Sequence, residues 1–373
     1  MPSAERYARQ LILPGFGPDA QGALENARVL VIGAGGLGSA VIPALAAAGV
    51  GTIGIVDDDI VELSNLPRQL VHGTDDLGAA KTASAAERVA QLDPEIAVKQ
   101  YPIRFTSETA LQIARGFDLL IDGSDNFPTR YLANDVAVLL GIPLVWGAVS
   151  QFGGQAGVAW AEHGPHYRDL FPTPPPPGTV PSCAEGGVFP STVAVVGSIM
   201  TAEALKVLTG VGRPLIGRVT LYDALGGEFR DLAYERDPDG EPITGLIDYE
   251  AFCAAPGSGR QSDAVSDAAA LPPALTATEL AGELDRVQLV DVREPWEAGI
   301  ASIGNSRLIP LGSLPDAADT LDPDAAIVVY CHHGIRSQSA LELLTERGFR
   351  NVRHLEGGID AWAREVAPEM ARY

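Results

Sequence analysis

Two short stretches of this 373-residue chain carry side chains whose types and spacing suit group-transfer chemistry. One is Cys331-His332-His333-Gly334-Ile335-Arg336-Ser337, where a cysteine closes an apolar run and a glycine follows closely. A cysteine at a strand end, with a Gly-containing loop winding into a helix, is surrounded by backbone N–H groups, and those dipoles favour an anionic sulfur. Arg336 adds positive charge at the rim of that loop. Such a pocket stabilises a thiolate, a persulfide or a bound oxyanion, so sulfur transfer and cysteine-based phosphate chemistry both fit. The span of four residues between Cys331 and Arg336 is short and suits sulfur better than phosphate. His332 and His333 stand in the same loop, where they read equally well as titrating groups or as solvated rim residues.

The other stretch is Gly33-Ala34-Gly35-Gly36-Leu37-Gly38. Glycines there let the backbone approach phosphate, and a following helix supplies N–H groups and a positive dipole end. A second apolar run ends in Asp57-Asp58-Asp59, which puts a carboxylate where a ribose hydroxyl sits in dinucleotide sites. Alone, that pair of features reads as an NAD-dependent oxidoreductase. The residues that follow point elsewhere: Ser64-Asn65-Leu66-Pro67-Arg68-Gln69, then Lys81, then Asp122-Gly123-Ser124-Asp125-Asn126. Hydride transfer has no need for this set. ATP-driven activation of a carboxylate does, because charge builds on the α-phosphate and the departing pyrophosphate. Arg68 and Lys81 offset that charge, and Asp125 can hold Mg²⁺.

Between residues 28 and 147, short apolar runs alternate with helix-like segments. Residues 27–33, 50–57, 117–125 and 142–149 read as buried parallel strands, and 37–49 and 81–93 as helices. That alternation predicts a doubly wound α/β sheet. Residues 173–181 are too proline-rich for helix or central strand and read as an extended loop; residues 192–210 then read as one helix ending at Gly210. The stretch 254–273 has linker composition, small, polar and bounded by proline. The α/β alternation restarts with runs at 287–293, 326–331 and 351–358. The expected domains are therefore 1–253 and 274–373, joined by 254–273.

The formal net charge is -22, which disfavours non-specific binding to nucleic acid, and 46% hydrophobic residues suit a soluble globular protein. The three cysteines, Cys183, Cys253 and Cys331, are far apart and odd in number, a poor disulfide framework and a reasonable set of thiols for a reducing compartment. Cys253 beside Tyr249 and Phe252 reads as a half-buried structural thiol. The N-terminus shows no apolar signal core, and no stretch reads as continuously apolar enough to span a bilayer. A cytoplasmic protein with no membrane partner is expected.

The first 253 residues resemble the MoeB/ThiF family, bacterial relatives of ubiquitin-activating enzymes. The resemblance rests on Arg6-Tyr7-Ala8-Arg9-Gln10, the Gly-rich turn, Asp57 and Asp59, Ser64-Asn65-Leu66 with Arg68-Gln69, Lys81, and Asp125-Asn126. It implies a Rossmann-like nucleotide-binding fold and ATP contacts from Gly35, Gly36, Asp57, Asn65, Arg68 and Lys81. It further implies Mg²⁺ on Asp125, and a homodimer in which Arg9 reaches into the partner subunit's site. The substrate it implies is a ubiquitin-like sulfur-carrier protein whose C-terminal Gly-Gly carboxylate becomes an acyl-adenylate. Cys183 falls where the family carries a crossover-loop cysteine, a candidate for covalent chemistry. The family also carries a structural zinc on two Cys-x-x-Cys pairs. Here the first pair falls on His166 and Asp169, and the second is missing beyond Asp237-Pro238. Too few ligands remain for a closed zinc site, so no zinc is expected, with His166 and Asp169 a solvated loop pair and packing alone holding the region.

Residues 274–368 resemble the rhodanese family, on the Asp291-Val292-Arg293-Glu294 strand end, the Cys331 loop and Leu355-Glu356-Gly357-Gly358-Ile359-Asp360-Ala361-Trp362. The tandem order resembles the MoeZ group and the eukaryotic molybdopterin-synthase sulfurylases. It implies that Cys331 takes sulfane sulfur from a cysteine desulfurase or thiosulfate, and that the sulfur then displaces AMP to leave a thiocarboxylate. Two other readings stay open: a ligase that holds the carrier as a Cys183 thioester, and a scaffold whose motifs are relics.

Overall fold

The computed structural model describes residues 5–175, 186–254, 274–323 and 325–372. It divides into two compact units, whose described residues are 5–175 with 186–254 in the first and 274–323 with 325–372 in the second. Cys183 and, apart from Ala254, the linker read at 254–273 lie outside the described residues.

The first unit is built on an eight-stranded sheet in the order β3-β2-β1-β4-β5-β6-β7-β8. β1 (Arg28–Ile32), β2 (Thr52–Val56), β3 (Ala97–Tyr101), β4 (Leu119–Asp122) and β5 (Leu144–Ser150) run parallel. β6 (Gly153–Ala159), β7 (Arg218–Asp223) and β8 (Glu228–Ala233) then add antiparallel. β1, β2 and β4 are buried almost throughout because helices cover both faces, which is why they read as unbroken apolar runs. β3 was not legible: it is an edge strand carrying Lys99 and Gln100, mostly exposed. The antiparallel half also departs from the doubly wound expectation, since β7 buries only Val219 and β8 is exposed throughout.

Helices Gly36–Ala48 and Lys81–Leu92 form where expected. Helix Pro190–Thr209 starts two residues before the expected position and ends at Gly210, whose φ of 69° is the left-handed cap. This helix corrects one expectation, because by length and composition it is apolar enough to cross a membrane. It packs instead in the core of the first unit, where Val193, Val196, Met200 and Ala204 meet Leu37, Val41, Ala156 and Val158.

The region of the absent thiol pairs also differs from expectation. His166 and Asp169 are not a solvated pair: they make a capping box on the short helix Tyr167–Leu170, and the Asp169 side chain is buried. Nor does packing alone hold the region. Asp169 Oδ1 accepts from Asp237 N at 3.0 Å, Arg236 donates to the carbonyls of Ala161 and Gly164, and Arg168 forks onto buried Asp135 at 2.7 and 2.8 Å. Tyr249 donates to the same carboxylate at 2.6 Å. Among the described residues there is no group of three or more His, Cys, Asp or Glu side chains suited to a metal ion.

The second unit is a five-stranded parallel sheet, β9 (Ala274–Leu275), β10 (Gln288–Asp291), β11 (Arg307–Leu308), β12 (Ile327–Tyr330) and β13 (Val352–Leu355), in the order β11-β10-β12-β13-β9. Cores on its two faces centre on Val290, Val329 and Leu344, and on Leu280, Val328 and Trp362. This is the smaller α/β fold expected of a rhodanese domain.

Candidate active sites

In the first unit β1 and β4 are neighbours, with β2 beyond one and β5 beyond the other. The chain leaves the two strands toward opposite sides, opening a crevice beyond their carboxyl ends, the place where open α/β sheets bind ligands. Gly33 to Gly38 line it from β1, and Asp122 to Asn126 from β4. Gly38 is required by close approach: a Cβ there would lie 1.9 Å from the Gly33 carbonyl oxygen. Helix Gly36–Ala48 begins at once, so its first N–H groups face the crevice without intrahelical acceptors.

The side chains around this turn are tied in sequence. Asp57 Oδ2 accepts from Ala34 N at 2.7 Å and Oδ1 from Asp59 N at 2.9 Å, and burial pushes the Asp57 carboxyl up. Lys81, buried at the start of helix Lys81–Leu92, donates to Asp59 Oδ2 at 2.8 Å, while the Asp59 side chain is 69% exposed. Ser64 and Asn65 sit in a 3₁₀ turn, Leu63–Asn65, in which the Asn65 side chain caps the Glu62 backbone N–H at 3.1 Å. Leu66 follows that turn half-buried, and Arg68 Nη1 donates to the Ser64 carbonyl at 2.8 Å. From β4, Asn126 caps helix Phe127–Leu140 by accepting from Thr129 N at 2.9 Å, which leaves Asp125 exposed one residue before it. Asp125 has no side-chain hydrogen bond among the described residues, so its exposed carboxylate is free to bind Mg²⁺. Arg9 stands exposed on helix Ala8–Leu11, while Tyr7 and Gln10 on either side anchor to Asp93 and to Gln21 and Ala48.

Two residues here, His72 and Arg130, were missed in the sequence, and Asp122 was named only as the first of the run Asp122 to Asn126. Buried His72 bridges the Ala34 carbonyl (3.0 Å from Nε2) and Ser84 Oγ (2.7 Å from Nδ1) beneath the Gly-rich turn. Fully buried Asp122 meets Arg130 at 3.2 Å, and Arg130 also reaches the carbonyls of Ser124 and Gly147. A lone histidine and a helical arginine carry no motif, so only the fold could reveal them.

In the second unit Cys331 directly follows β12 and is 2% exposed. Gly334 N donates to its Sγ at 3.1 Å, and Gly334 is the N-cap of helix Ile335–Glu346. The sulfur thus faces a backbone donor at a helix N-terminus, as expected. A second helix closes on the loop: Ile359 N and Asp360 N donate to the carbonyls of Cys331 and His332 at 2.8 and 3.1 Å. Gly358 permits this, because a Cβ there would sit 2.3 Å from the His332 carbonyl oxygen. Arg336 is not a rim cation. Both its terminal nitrogens bond the Glu297 carboxylate at 2.7 Å, and Glu297 is buried. Arg293 is likewise matched to Asp291, fully buried, with Tyr330 on the same carboxylate. His332 stacks on His333 with centroids 3.9 Å apart, and burial together with that neighbour holds His332 down at about 4. Cys253 is half-buried, and burial pushes its thiol up to about 11.

A nucleotide crevice at a sheet switch point, followed by a buried cysteine on a Gly turn, defines an activating domain fused to a sulfurtransferase-type domain. The chain belongs to the ThiF family, whose pattern it matches over residues 7–242, and carries a rhodanese-like domain over residues 276–365. It is 46% identical to the probable adenylyltransferase/sulfurtransferase MoeZ of Mycobacterium tuberculosis over 99% of this chain and 95% of that one. It is 55% identical to the sulfur carrier protein adenylyltransferase of Thermus thermophilus over 67% of this chain and 96% of that one. The mouse adenylyltransferase and sulfurtransferase MOCS3 is 38% identical over 99% of this chain and 87% of its own length. Among solved structures, Escherichia coli MccB superposes with a TM-score of 0.58 at 21% identity, covering 66% of this chain and 74% of that chain, a likeness of fold.

Proposed function

We propose that this chain adenylates the C-terminal Gly-Gly carboxylate of a ubiquitin-like sulfur-carrier protein and then converts it to a thiocarboxylate with sulfur held on Cys331. The observation that carries the reading is the Cys331 thiol beside the Gly334 N–H, in a chain that also holds a Gly-rich turn with Arg68 and Lys81. In the first step a carboxylate oxygen attacks the α-phosphorus of ATP and pyrophosphate leaves. The N–H groups after Gly35 hold phosphate, Asp57 and Asn65 border the nucleotide, and Arg68 and Lys81 offset the charge on the leaving group. Mg²⁺ on Asp125 supplies further neutralisation of phosphate charge.

In the second step the Cys331 thiolate takes the outer sulfur of a desulfurase persulfide or of thiosulfate, expelling a thiolate or sulfite. The resulting persulfide attacks the acyl carbon and AMP leaves. Cys183 then attacks the Cys331 sulfur of the acyl disulfide, so the thiocarboxylate departs and a Cys183–Cys331 disulfide remains for a cellular dithiol to reduce. The same reading takes the chain as a cytoplasmic homodimer with Arg9 at the partner's nucleotide, without a nucleic-acid or membrane partner and without structural zinc. Relatives whose names join both activities along nearly the whole chain support it.

The test is the intact mass of candidate carriers after incubation with the enzyme, ATP, Mg²⁺ and a sulfur donor. Replacement of one oxygen by sulfur on a Gly-Gly carrier is the expected result. If pyrophosphate exchange occurs and no carrier gains sulfur, the sulfur step is wrong. If neither occurs with any Gly-Gly carrier, the activation step fails too.

A further inference from the structure

We propose that His72 is a positioning residue for the nucleotide turn, holding the Ala34–Gly35 peptide so that the Gly35 and following N–H groups point into the crevice. Residue Ala34 is gripped on both sides. Its N–H is taken by Asp57 Oδ2 at 2.7 Å, and its carbonyl by His72 Nε2 at 3.0 Å. A carbonyl can only accept, so Nε2 carries the proton, and Nδ1 accepts from the Ser84 hydroxyl at 2.7 Å. Ser84 lies one turn into helix Lys81–Leu92, whose first residue is Lys81. The imidazole therefore ties the Gly-rich turn to the helix that carries the lysine, while Lys81 ties the same helix to Asp59. His72 is buried, and burial, with Lys81 adding to it, holds the ring below its ordinary range and in the neutral form that this bonding needs.

With Ala34 fixed from both sides, its own N–H and carbonyl are spoken for inside the protein. The next N–H groups, of Gly35 and of the first turn of helix Gly36–Ala48, are left for phosphate. His72 touches no substrate atom in this scheme. It acts through Ala34, and the inference rests on the nucleotide reading of the crevice.

The two amide side chains separate its two bonds. Gln places a donor near the Nε2 position, and Asn places an acceptor near Nδ1 without reaching Ala34. The full-length chain carrying His72→Gln, His72→Asn or Ser84→Ala is titrated with ATP and Mg²⁺ by calorimetry, and ATP–pyrophosphate exchange is run with a Gly-Gly carrier. His72→Asn is expected to weaken ATP binding about tenfold, the size of one buried hydrogen bond, and to raise the KM for ATP while that for the carrier holds. His72→Gln recovers most of the loss, and Ser84→Ala falls between. Equal affinities for the Asn and Gln variants, or a Ser84→Ala variant and an Asn variant both matching the parent, overturn the assignment. If His72→Asn does not fold, the order of parent, Gln and Ser84→Ala variants decides it. A parent chain that binds ATP but activates no carrier removes the adenylation reading and leaves the positioning test intact; one that binds no ATP removes both.

Discussion

The two Gly-containing turns of this molecule share a plan and differ in what each leaves unfinished. Both follow a parallel strand and open a helix, one at Gly33 to Gly38 and one at Cys331 to Gly334. The nucleotide turn carries no functional side chain of its own, and around it Arg9, Asp59 and Asp125 stand exposed. The sulfur turn carries its nucleophile, and the charges near it are already matched: Arg336 by Glu297, Arg293 by Asp291. On the proposed function the first site would be completed electrostatically by ATP with Mg²⁺. The second is complete before any donor arrives, so its cargo need bring no charge. Two turns of different backbone shape, capped at Gly35 with φ -76° and at Gly334 with φ 105°, thus meet the same need for backbone N–H groups at a helix start.

The sharpest way to separate the two is Cys331→Ala. It should abolish sulfur loading of the chain, read as intact mass after donor treatment, while ATP–pyrophosphate exchange persists; loss of both would mean that the two sites do not work independently. Gly38→Ala should do the reverse. Its Cβ would fall 1.9 Å from the Gly33 carbonyl, and shifting that turn is expected to lower exchange by about 10²-fold while donor loading of Cys331 holds.

A smaller effect concerns the matched charges. Glu297→Gln removes the carboxylate that bonds both nitrogens of Arg336. The ratio of thiosulfate to organic persulfide kcat/KM for loading Cys331 should rise roughly tenfold as a cation becomes available to a dianion. An unchanged ratio would show that Arg336 does not face the donor.

The smallest effect is in pH. His332 is held at about 4 in the folded chain against 6.5 in an ordinary histidine. Between those values the unfolded state binds more protons, so this residue's contribution to stability falls as pH drops from about 6.5 toward 4. Denaturant titrations of the C-terminal unit should show a shallower slope over that window in His332→Gln; an identical slope would assign the pH dependence to other groups.

Much of this arrangement was legible in the sequence, and the reason differs by residue. β1, β2, β4 and β12 were plain because strands covered on both faces are written as unbroken apolar runs. Lys81 was read at a helix start and stands there, whereas Asn126, read only as following a strand, caps the next helix. The partners of the site residues were not legible. Arg336 read as a rim cation since nothing local marks Glu297, 39 residues earlier, as its mate. His72 and Ala34 are 38 residues apart and meet only through the crossover from β2. His166 and Asp169 kept the spacing of a lost thiol pair, yet that spacing also makes a capping box, and sequence cannot tell ligand from cap.

The apolar helix Pro190–Thr209 has a consequence for synthesis. Exposed alone, it has the length and composition of a membrane segment, and an unshielded segment of that kind invites aggregation. Most of its docking surface, namely helices Gly17–Asn26 and Gly36–Ala48 with β5 and β6, lies earlier in the chain, while β7 and Leu215 follow it. A chain emerging from its N-terminus therefore builds most of the acceptor before the helix leaves the ribosome. A circular permutant that begins at Pro190 reverses that order: it would reach the same fold from a denaturant but make its long apolar helix before anything exists to cover it.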